Sequence, residues 1–172
     1  VPFPRFTYEE VLERYGTDKP ELRFGLELID LAPALRNGEG NPTSGFRVFD
    51  ETLGAGNRVK GLVVPGFAAA SRREIDELAE IARAGGAAGL VHLAVGAGGA
   101  ISSPIAKHLA PGVGQAILAS AGAAPGDLVL IVAGPTAVAN AVLGRLRSEL
   151  GARLGLTDPD ALAYGWVHRF PM

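Results

Sequence analysis

Apolar residues at helical spacing open the chain. Four of them recur at intervals of three and four positions: Tyr8, Val11, Leu12 and Tyr15. This spacing predicts a helix over residues 8–15 with one apolar face. Thr7 and Glu10 have the Thr-x-x-Glu pattern of a capping box at its start, and Gly16 follows its last residue.

The same periodicity predicts two longer helices. One begins after Ser71, where Glu74 completes a second capping box, and its apolar face is formed by Ile75, Leu78, Ala79 and Ala82. The longest helix follows Pro135 and ends near Leu154, with apolar residues that step by four: Val138, Val142, Leu146 and Leu150. Another face of this helix carries Arg145, Glu149 and Arg153 at intervals of four, which is typical of a solvated face.

Short apolar runs bounded by turn residues predict the strands. They lie at residues 26–30, 46–49, 58–64, 90–95, 100–102, 127–133 and 164–170. The run at 127–133 is apolar without alternation, which predicts a central strand covered on both faces. Runs 46–49 and 58–64 are predicted to pair as a hairpin across a glycine-rich loop. Shorter helices are predicted at residues 32–36, after Ser103 with Pro104 in the first position, and at 113–121.

This order of elements predicts an α+β fold in which helices pack on one mixed or antiparallel sheet in two layers. The chain has 172 residues and a formal net charge of −2, so it has no global basic field that would attract nucleic acid. It has no cysteine, no apolar run as long as a membrane span and no signal segment. These features predict a soluble, cytoplasmic protein without disulfides.

Most motifs that could carry chemistry have simpler structural explanations. Residues 96–100, GAGGA, lack the third glycine of a dinucleotide fingerprint and the Gly-Lys-Ser/Thr of a P-loop, so a hairpin turn is predicted there. The three histidines, His92, His108 and His168, show no ligand spacing, and no metal site is predicted. Ser103 lacks a nucleophile elbow and is predicted to cap a helix.

Five basic residues form the candidate contact with RNA phosphates: Arg72, Arg73, Arg83, Lys107 and His108. The alternative is a solvated helix face, because no aromatic residues interleave with these charges to stack on bases. Both interpretations remain open from the sequence.

A second charged segment joins the first helix to the first strand of the sheet. It alternates in sign and contains two turn-forming residues, a glycine just past the helix and a proline inside the loop. Its candidate functional residues are Arg14, Gly16, Asp18, Lys19, Pro20 and Arg23. Such a loop is predicted to have a fixed path that could hold a neighbouring surface. The alternative is a salt-bridged surface loop with no further role.

Four stretches of the chain carry a family resemblance. They are VPFPRFTYEEVLERYGTDKPELRFGLEL at residues 1–28, SPIAKHL at 103–109, DLVLIVAGP at 127–135 and WVHRFPM at 166–172. Together they resemble bacterial-type aspartyl-tRNA synthetases, at the point where the catalytic domain leads into an inserted domain and the chain later returns. One departure is Arg169, which stands where the family has an aspartate.

The resemblance implies a ββαββα-like insertion domain, known as the GAD domain, over residues 26–156. Residues 1–25 would be a flank from the class II catalytic domain and residues 157–172 a return strand. The chain is therefore expected to be a piece of a longer protein. The apolar face of the first helix would then pack on the missing catalytic domain; the alternative is the domain's own sheet.

The resemblance also implies a function. The parent enzyme would be an aspartate–tRNA ligase that uses ATP and Mg²⁺ in protein biosynthesis, acts on tRNA and forms a cytoplasmic homodimer. Its nucleotide-binding and catalytic residues would lie outside this chain, so the chain alone is predicted to be an inactive accessory module, placed near the tRNA acceptor end or bracing the catalytic domain. A stand-alone protein-interaction module and a small-molecule enzyme remain as alternatives.

Overall fold

The computed structural model describes residues 3–171, so Val1, Pro2 and Met172 of the two terminal segments lie outside the described part. The strands are β1 Arg5–Thr7, β2 Leu28–Asp30, β3 Arg58–Val64, β4 Val91–Val95, β5 Ile101–Ser102, β6 Leu128–Gly134 and β7 Trp166–His168. The helices are α1 Tyr8–Tyr15, α2 Ala32–Leu35, α3 Arg47–Gly54, α4 Arg72–Ala84, α5 Val113–Ala121 and α6 Thr136–Arg153.

Local signals set the starts of α1 and α4 and the end of α1, as predicted. The Thr7 side chain accepts a hydrogen bond from the backbone N–H of Glu10, and the Glu10 side chain accepts one from Thr7. Ser71 and Glu74 form the same reciprocal pair at the start of α4. Gly16 ends α1 in the left-handed conformation, with φ of 73°, which glycine adopts without steric cost.

The main sheet has five antiparallel strands in the order β2-β3-β6-β4-β5. The predicted central strand, β6, lies in the middle. One of its faces packs with α4 and α6 in a core that contains Leu130, and the other packs with α2, α3 and α5 in a core that contains Ile131. The predicted α+β class is confirmed, but the helices form three layers with the sheet instead of two. The reason is that β6 is apolar on both faces, and each face has to be covered.

Two predicted elements differ from the structure. Residues 46–49 were expected as a strand, but Phe46 is the N-cap of α3, and the predicted hairpin with β3 does not form. Phe46, Phe49 and Leu53 lie at helical spacing and enter the core beside α2 and α5. A short apolar run does not by itself distinguish a strand from a buried helix, and here burial favours the helix.

The helix predicted after Ser103 is only a single 3₁₀ turn at Ala106–His108. The chain leaves this turn because the N–H of Ala110 donates to the carbonyl of Ser44, 2.7 Å away. Ala110 also precedes Pro111, which disfavours helical backbone at that position. The predicted turn at residues 96–100 is confirmed, since a 3₁₀ turn there connects the antiparallel strands β4 and β5.

Strands β1 and β7 form a separate two-stranded parallel sheet, called here the ribbon, and do not join the main sheet. Val11 and Tyr15 of α1 are buried against Phe6 of β1 and Val167 of β7. The buried apolar residues of α1 therefore pack on the ribbon, and α1 also lies beside α6 and beside β2 at the edge of the main sheet.

Candidate functional site

The charged segment between α1 and β2, residues 16–27, lies against α6 and forms the junction between the ribbon and the main sheet. Gly16 and Gly144 of α6 meet backbone to backbone. A Cβ atom at Gly144 would lie 2.8 Å from the carbonyl oxygen of Tyr15 and 2.9 Å from that of Gly16. Real Cβ atoms do not approach backbone atoms this closely, so the contact requires glycine at position 144.

Arg147 of α6 is the centre of the junction. Its side chain is almost completely buried, with 1% of its surface exposed. Its Nε donates to the carbonyl of Leu26 at 2.9 Å, and its Nη2 donates to the carbonyls of Glu21, Phe24 and Gly25 at 2.7, 3.0 and 2.8 Å.

Two aromatic rings enclose the same guanidinium group. Its central carbon lies 4.3 Å from the centre of the Phe24 ring and 5.0 Å from that of Tyr15. Burial lowers the pKa of Arg147, but a guanidinium stays protonated in proteins, so the junction contains a buried positive charge. That charge is satisfied by backbone dipoles and aromatic faces.

Lys60 of β3 is a second buried cation at the junction, also with 1% exposed surface. Its Nζ donates to Asn140 Oδ1 of α6 at 2.7 Å, and to the backbone oxygen and Oε2 of Glu13 at 2.8 and 2.9 Å. Burial raises the pKa of Glu13, but the hydrogen bond and charge of Lys60 outweigh it, so this pKa is lowered. Lys60 thus ties the end of α1 to the main sheet and to α6.

Two ion pairs hold the outer side of the segment. Arg14 donates from Nε and Nη2 to the Glu27 carboxylate at 2.9 and 2.7 Å, and Arg23 contacts Glu21 in the same two-point manner at 2.9 and 2.6 Å. Hydrogen bonds from the Arg23 side chain and backbone lower the pKa of Glu21 to about 2. The hydrogen bond from Arg14 similarly lowers the pKa of Glu27. The segment is therefore a structured loop, as its sequence predicts.

The remaining predicted residues of this segment lie at its outer edge. Lys19 and Pro20 line a shallow cleft of about 320 Å³ between the segment and residues 161–164, together with Glu21 and Arg23. The Lys19 side chain is exposed, and Asp18 lines an adjoining depression. The cleft opens beside the ribbon, whose neighbourhood carries exposed aromatic side chains: Phe3, Tyr164, Trp166 and Phe170.

The five basic residues proposed from the sequence as an RNA contact do not form one patch. Arg72, Arg73 and Arg83 belong to α4, on the face of the sheet that α6 covers, whereas Lys107 and His108 lie with α3 and α5 on the other face. Arg73 pairs with Glu77 and Arg83 with Glu80, so acidic neighbours offset two of these charges. His108 lies beside the Phe46 ring.

Sequence reasoning missed Arg147, Lys60 and Asn140, because nothing in the local pattern shows that a charged side chain is buried. One signal was available in the longest helix. Asn140, Gly144, Arg147 and Gly151 recur at intervals of four, three and four residues, which places them on one helix face. Two glycines on one face of a helix indicate close approach of another segment, and here that segment is residues 16–27.

The described residues offer little for metal or membrane chemistry. Within residues 3–171 no group of three or more histidine, aspartate or glutamate side chains could hold a metal ion. None of the helices in this range is long and apolar enough to cross a bilayer.

Comparison with known proteins adds a family. Residues 49–143 match the sequence model of the GAD domain. The whole chain is 45% identical to a segment of the aspartate--tRNA(Asp/Asn) ligase of Moorella thermoacetica, of which it covers 28%. It is 46% identical over 171 residues to the ligase of the same name from Rubrobacter xylanophilus and 40% identical to that of Mycolicibacterium smegmatis, covering 27% of each. The chain thus spans little more than a quarter of the length of these relatives.

Proposed function

Since the chain belongs to the GAD domain family, we propose that it is the insertion domain of an aspartate–tRNA ligase, a class II aminoacyl-tRNA synthetase. The parent enzyme would attach aspartate to tRNA in an ATP-dependent reaction during protein synthesis. In this proposal the chain itself is an accessory module without ligase activity. Its similarity along its full length to ligases of one name supports the assignment.

The parallel pairing of β1 and β7 is the observation that carries this proposal. Arg5 pairs with Trp166 and Thr7 with His168, so everything between these strands is the connection from one strand to its neighbour. A parallel crossover needs only about a dozen residues, whereas this one contains a complete five-stranded sheet with its helices. Such a connection is what a domain inserted between two adjacent strands of a larger sheet would produce.

We assign residues 1–25 and 157–172 to the catalytic domain of the parent enzyme and residues 26–156 to the inserted module. The family match at residues 49–143 falls inside this module. The ribbon supports the division, because an isolated two-stranded sheet is only marginally stable and its edges can pair with further strands.

The exposed aromatic residues near the ribbon form a surface on which the rest of the catalytic domain could pack. Trp166 and Tyr164 are 63% and 59% exposed, and Phe170 and Phe3 are about half exposed. Apolar side chains grouped in this way mark interaction sites. We propose that the rest of the catalytic domain covers them.

We place the remaining machinery of the reaction in parts of the parent enzyme outside this chain. In this proposal ATP and Mg²⁺ would be bound there as well. The parent enzyme would be a cytoplasmic homodimer with tRNA as its partner. Within this chain, the loop residues Arg14, Gly16, Asp18, Lys19, Pro20 and Arg23 would connect the module to the catalytic domain.

A role in placing the tRNA acceptor end would rest on Arg72, Arg73 and Arg83 of α4, or on Lys107 and His108 on the opposite side. A protein-interaction module without RNA contact is the second candidate, which the exposed aromatic residues favour. The two differ in their response to salt. Binding through two or three phosphate contacts should weaken by about 10- to 40-fold between about 50 and 200 mM salt, whereas apolar docking should not.

The assay compares the 172-residue chain with the full-length protein that contains it. Each is incubated with ATP, Mg²⁺, aspartate and tRNA, and charged tRNA is measured. We expect charging by the full-length protein and none by the chain alone. Charging by the chain would refute the accessory role, and failure of the full-length protein to charge any tRNA would refute the ligase assignment. A tRNA gel shift at the two salt concentrations then separates the RNA-placing role from the interaction module.

A further inference from the structure

We propose that Arg147 is a positioning residue that fixes the inserted module relative to the catalytic domain of the parent enzyme, and that transfer of aspartate to tRNA depends on it. This inference rests on the proposed function and goes beyond it. It names the residue through which the module would act on the reaction.

Arg147 connects two parts of the chain that are far apart in sequence. It projects from α6, whose adjacent residue Leu146 is fully buried in the core of the module. Its four hydrogen bonds reach carbonyls that lie 121 to 126 positions earlier, in the segment that leads from the ribbon and α1 into β2. The guanidinium group therefore fixes the segment between α1 and β2 relative to the core of the module.

The segment needs this contact to keep its path. Leu26 has a φ of 61°, a left-handed conformation that costs a residue other than glycine about 1–3 kcal/mol. The carbonyl of Leu26 accepts from Arg147 Nε, and the carbonyls of Phe24 and Gly25 accept from the same side chain. Residues 17–27 contain no helix or strand that could set their course instead.

The chemistry of the contact indicates positioning in addition to stability. A buried apolar side chain at this position would stabilise the packing, but it would be compatible with any backbone path of the segment that excludes water. A planar guanidinium with fixed donor directions, enclosed by Tyr15 and Phe24, satisfies only one arrangement of the four carbonyls. Gly151 reinforces this arrangement, because the Phe24 ring occupies the space where a Cβ atom would lie.

The first test uses limited proteolysis of the chain itself. Trypsin cleaves after arginine and lysine, but Lys19 is followed by Pro20 and is resistant, so Arg23–Phe24 is the bond that reports on the segment. We expect Arg147→Met to accelerate cleavage at Arg23–Phe24 by about 10-fold or more, because local opening would no longer break the four hydrogen bonds. Arg147→Lys, which keeps the charge but not the planar geometry, should give an intermediate rate.

The matched control is Ile117→Ala on α5, on the other face of the sheet, which creates a cavity in the core without touching the segment. Cleavage rates are compared at temperatures equally far below the midpoint of thermal unfolding of each variant. Selective acceleration at Arg23–Phe24 in the Arg147 variants supports the proposal. The same acceleration in Ile117→Ala, or none in either Arg147 variant, overturns it.

The second test uses the full-length protein and separates two steps. Formation of aspartyl-adenylate is measured by ATP–pyrophosphate exchange, and transfer is measured as kcat/KM for tRNA. We expect Arg147→Met to lower the transfer value by about 10- to 100-fold, because small misplacements remote from the chemistry have effects of this size. Adenylate formation should change by less than about twofold, since it takes place within the catalytic domain.

Equal losses in both steps, or a transfer defect as large in Ile117→Ala, would show general destabilisation and overturn the positioning role. Failure of the unsubstituted full-length protein to charge tRNA would refute the proposed ligase function instead. In that case the proteolysis result still decides whether Arg147 fixes the segment.

Discussion

Replacing Lys60 with methionine tests whether the buried ammonium group holds the junction together. The substitution keeps an unbranched apolar stem one atom shorter than that of lysine and removes the donor of three hydrogen bonds. Asn140 Oδ1 then loses its partner in a poorly solvated place, on a residue only 6% exposed, and the backbone oxygen of Glu13 loses its partner at a part-buried position. The third, the Glu13 carboxylate, is 45% exposed and can be hydrated instead.

These contacts set the expected magnitude. A buried acceptor without a donor costs about 1–3 kcal/mol, and breaking a fully buried ion pair costs about 3–5 kcal/mol. Because the charge that remains on Glu13 is half exposed, we expect Lys60→Met to lower the free energy of unfolding by less than the loss of a fully buried ion pair would, by about 2–3 kcal/mol. For a chain of this size each kcal/mol lowers Tm by about 2–4 °C, so Tm should fall by about 4–12 °C.

The assay is urea unfolding and thermal melting of the 172-residue chain. Asn140→Leu is measured alone and together with Lys60→Met, and the pair should show a coupling energy of about 1–3 kcal/mol, because the double variant has no orphaned side-chain acceptor at position 140. Arg73→Met is the control and should cost less than about 1 kcal/mol, since it removes an ion pair whose arginine side chain is 88% exposed. A Lys60→Met cost below about 0.5 kcal/mol, or purely additive effects with Asn140→Leu, would refute the reasoning.

Two further predictions concern the same junction. Gly144→Ala should lower the free energy of unfolding by about 1–3 kcal/mol in urea titrations, because its Cβ would press on the backbone of Gly16. The control is Gly54→Ala, at a helical glycine with no neighbour within 4 Å, which should be neutral or stabilising by up to about 1 kcal/mol. Equal effects of the two substitutions would contradict the close contact. Folding lowers the pKa of Glu21 from 4.5 to about 2, so its stabilising effect is fully present above pH 4.5 and is lost as the pH falls towards 2. The stability advantage of the unsubstituted chain over Glu21→Gln, measured by urea unfolding across this range, should therefore be constant near neutral pH and shrink in acid, and an advantage independent of pH would show that Arg23 does not hold the carboxylate.

Elements whose signals are local were predictable from the sequence. The capping boxes at Thr7 and Ser71 act through residues three positions apart, and both form as predicted. The central position of β6 followed from its apolar composition, because a strand without polar residues has to be covered on both faces. The prediction at residues 46–49 was wrong because a run of four residues is too short to distinguish the spacing of a strand from that of a helix. Contacts with residues distant in sequence favour the helix.

The candidate site was only partly predictable. Gly16 and Pro20 predicted a loop of fixed path, and the charged residues Arg14 and Arg23 both pair with glutamates as short-range electrostatics allows. The residues around Arg147 did not predict its burial, because that burial depends on carbonyls more than 120 positions away. Lys60 depends in the same way on Asn140, 80 positions later.

The sequence by itself determined the local elements, their apolar faces and the charged character of the segment between α1 and β2, since each of these depends on residues within a few positions. The tertiary structure alone decided that β1 pairs in parallel with β7, which helices cover each face of the sheet, and that Arg147 and Lys60 are buried at the junction. These features depend on which surfaces meet after the chain has folded. The physical reason is that the cost of burying a charge or opening a sheet edge is settled by partners that local patterns do not contain.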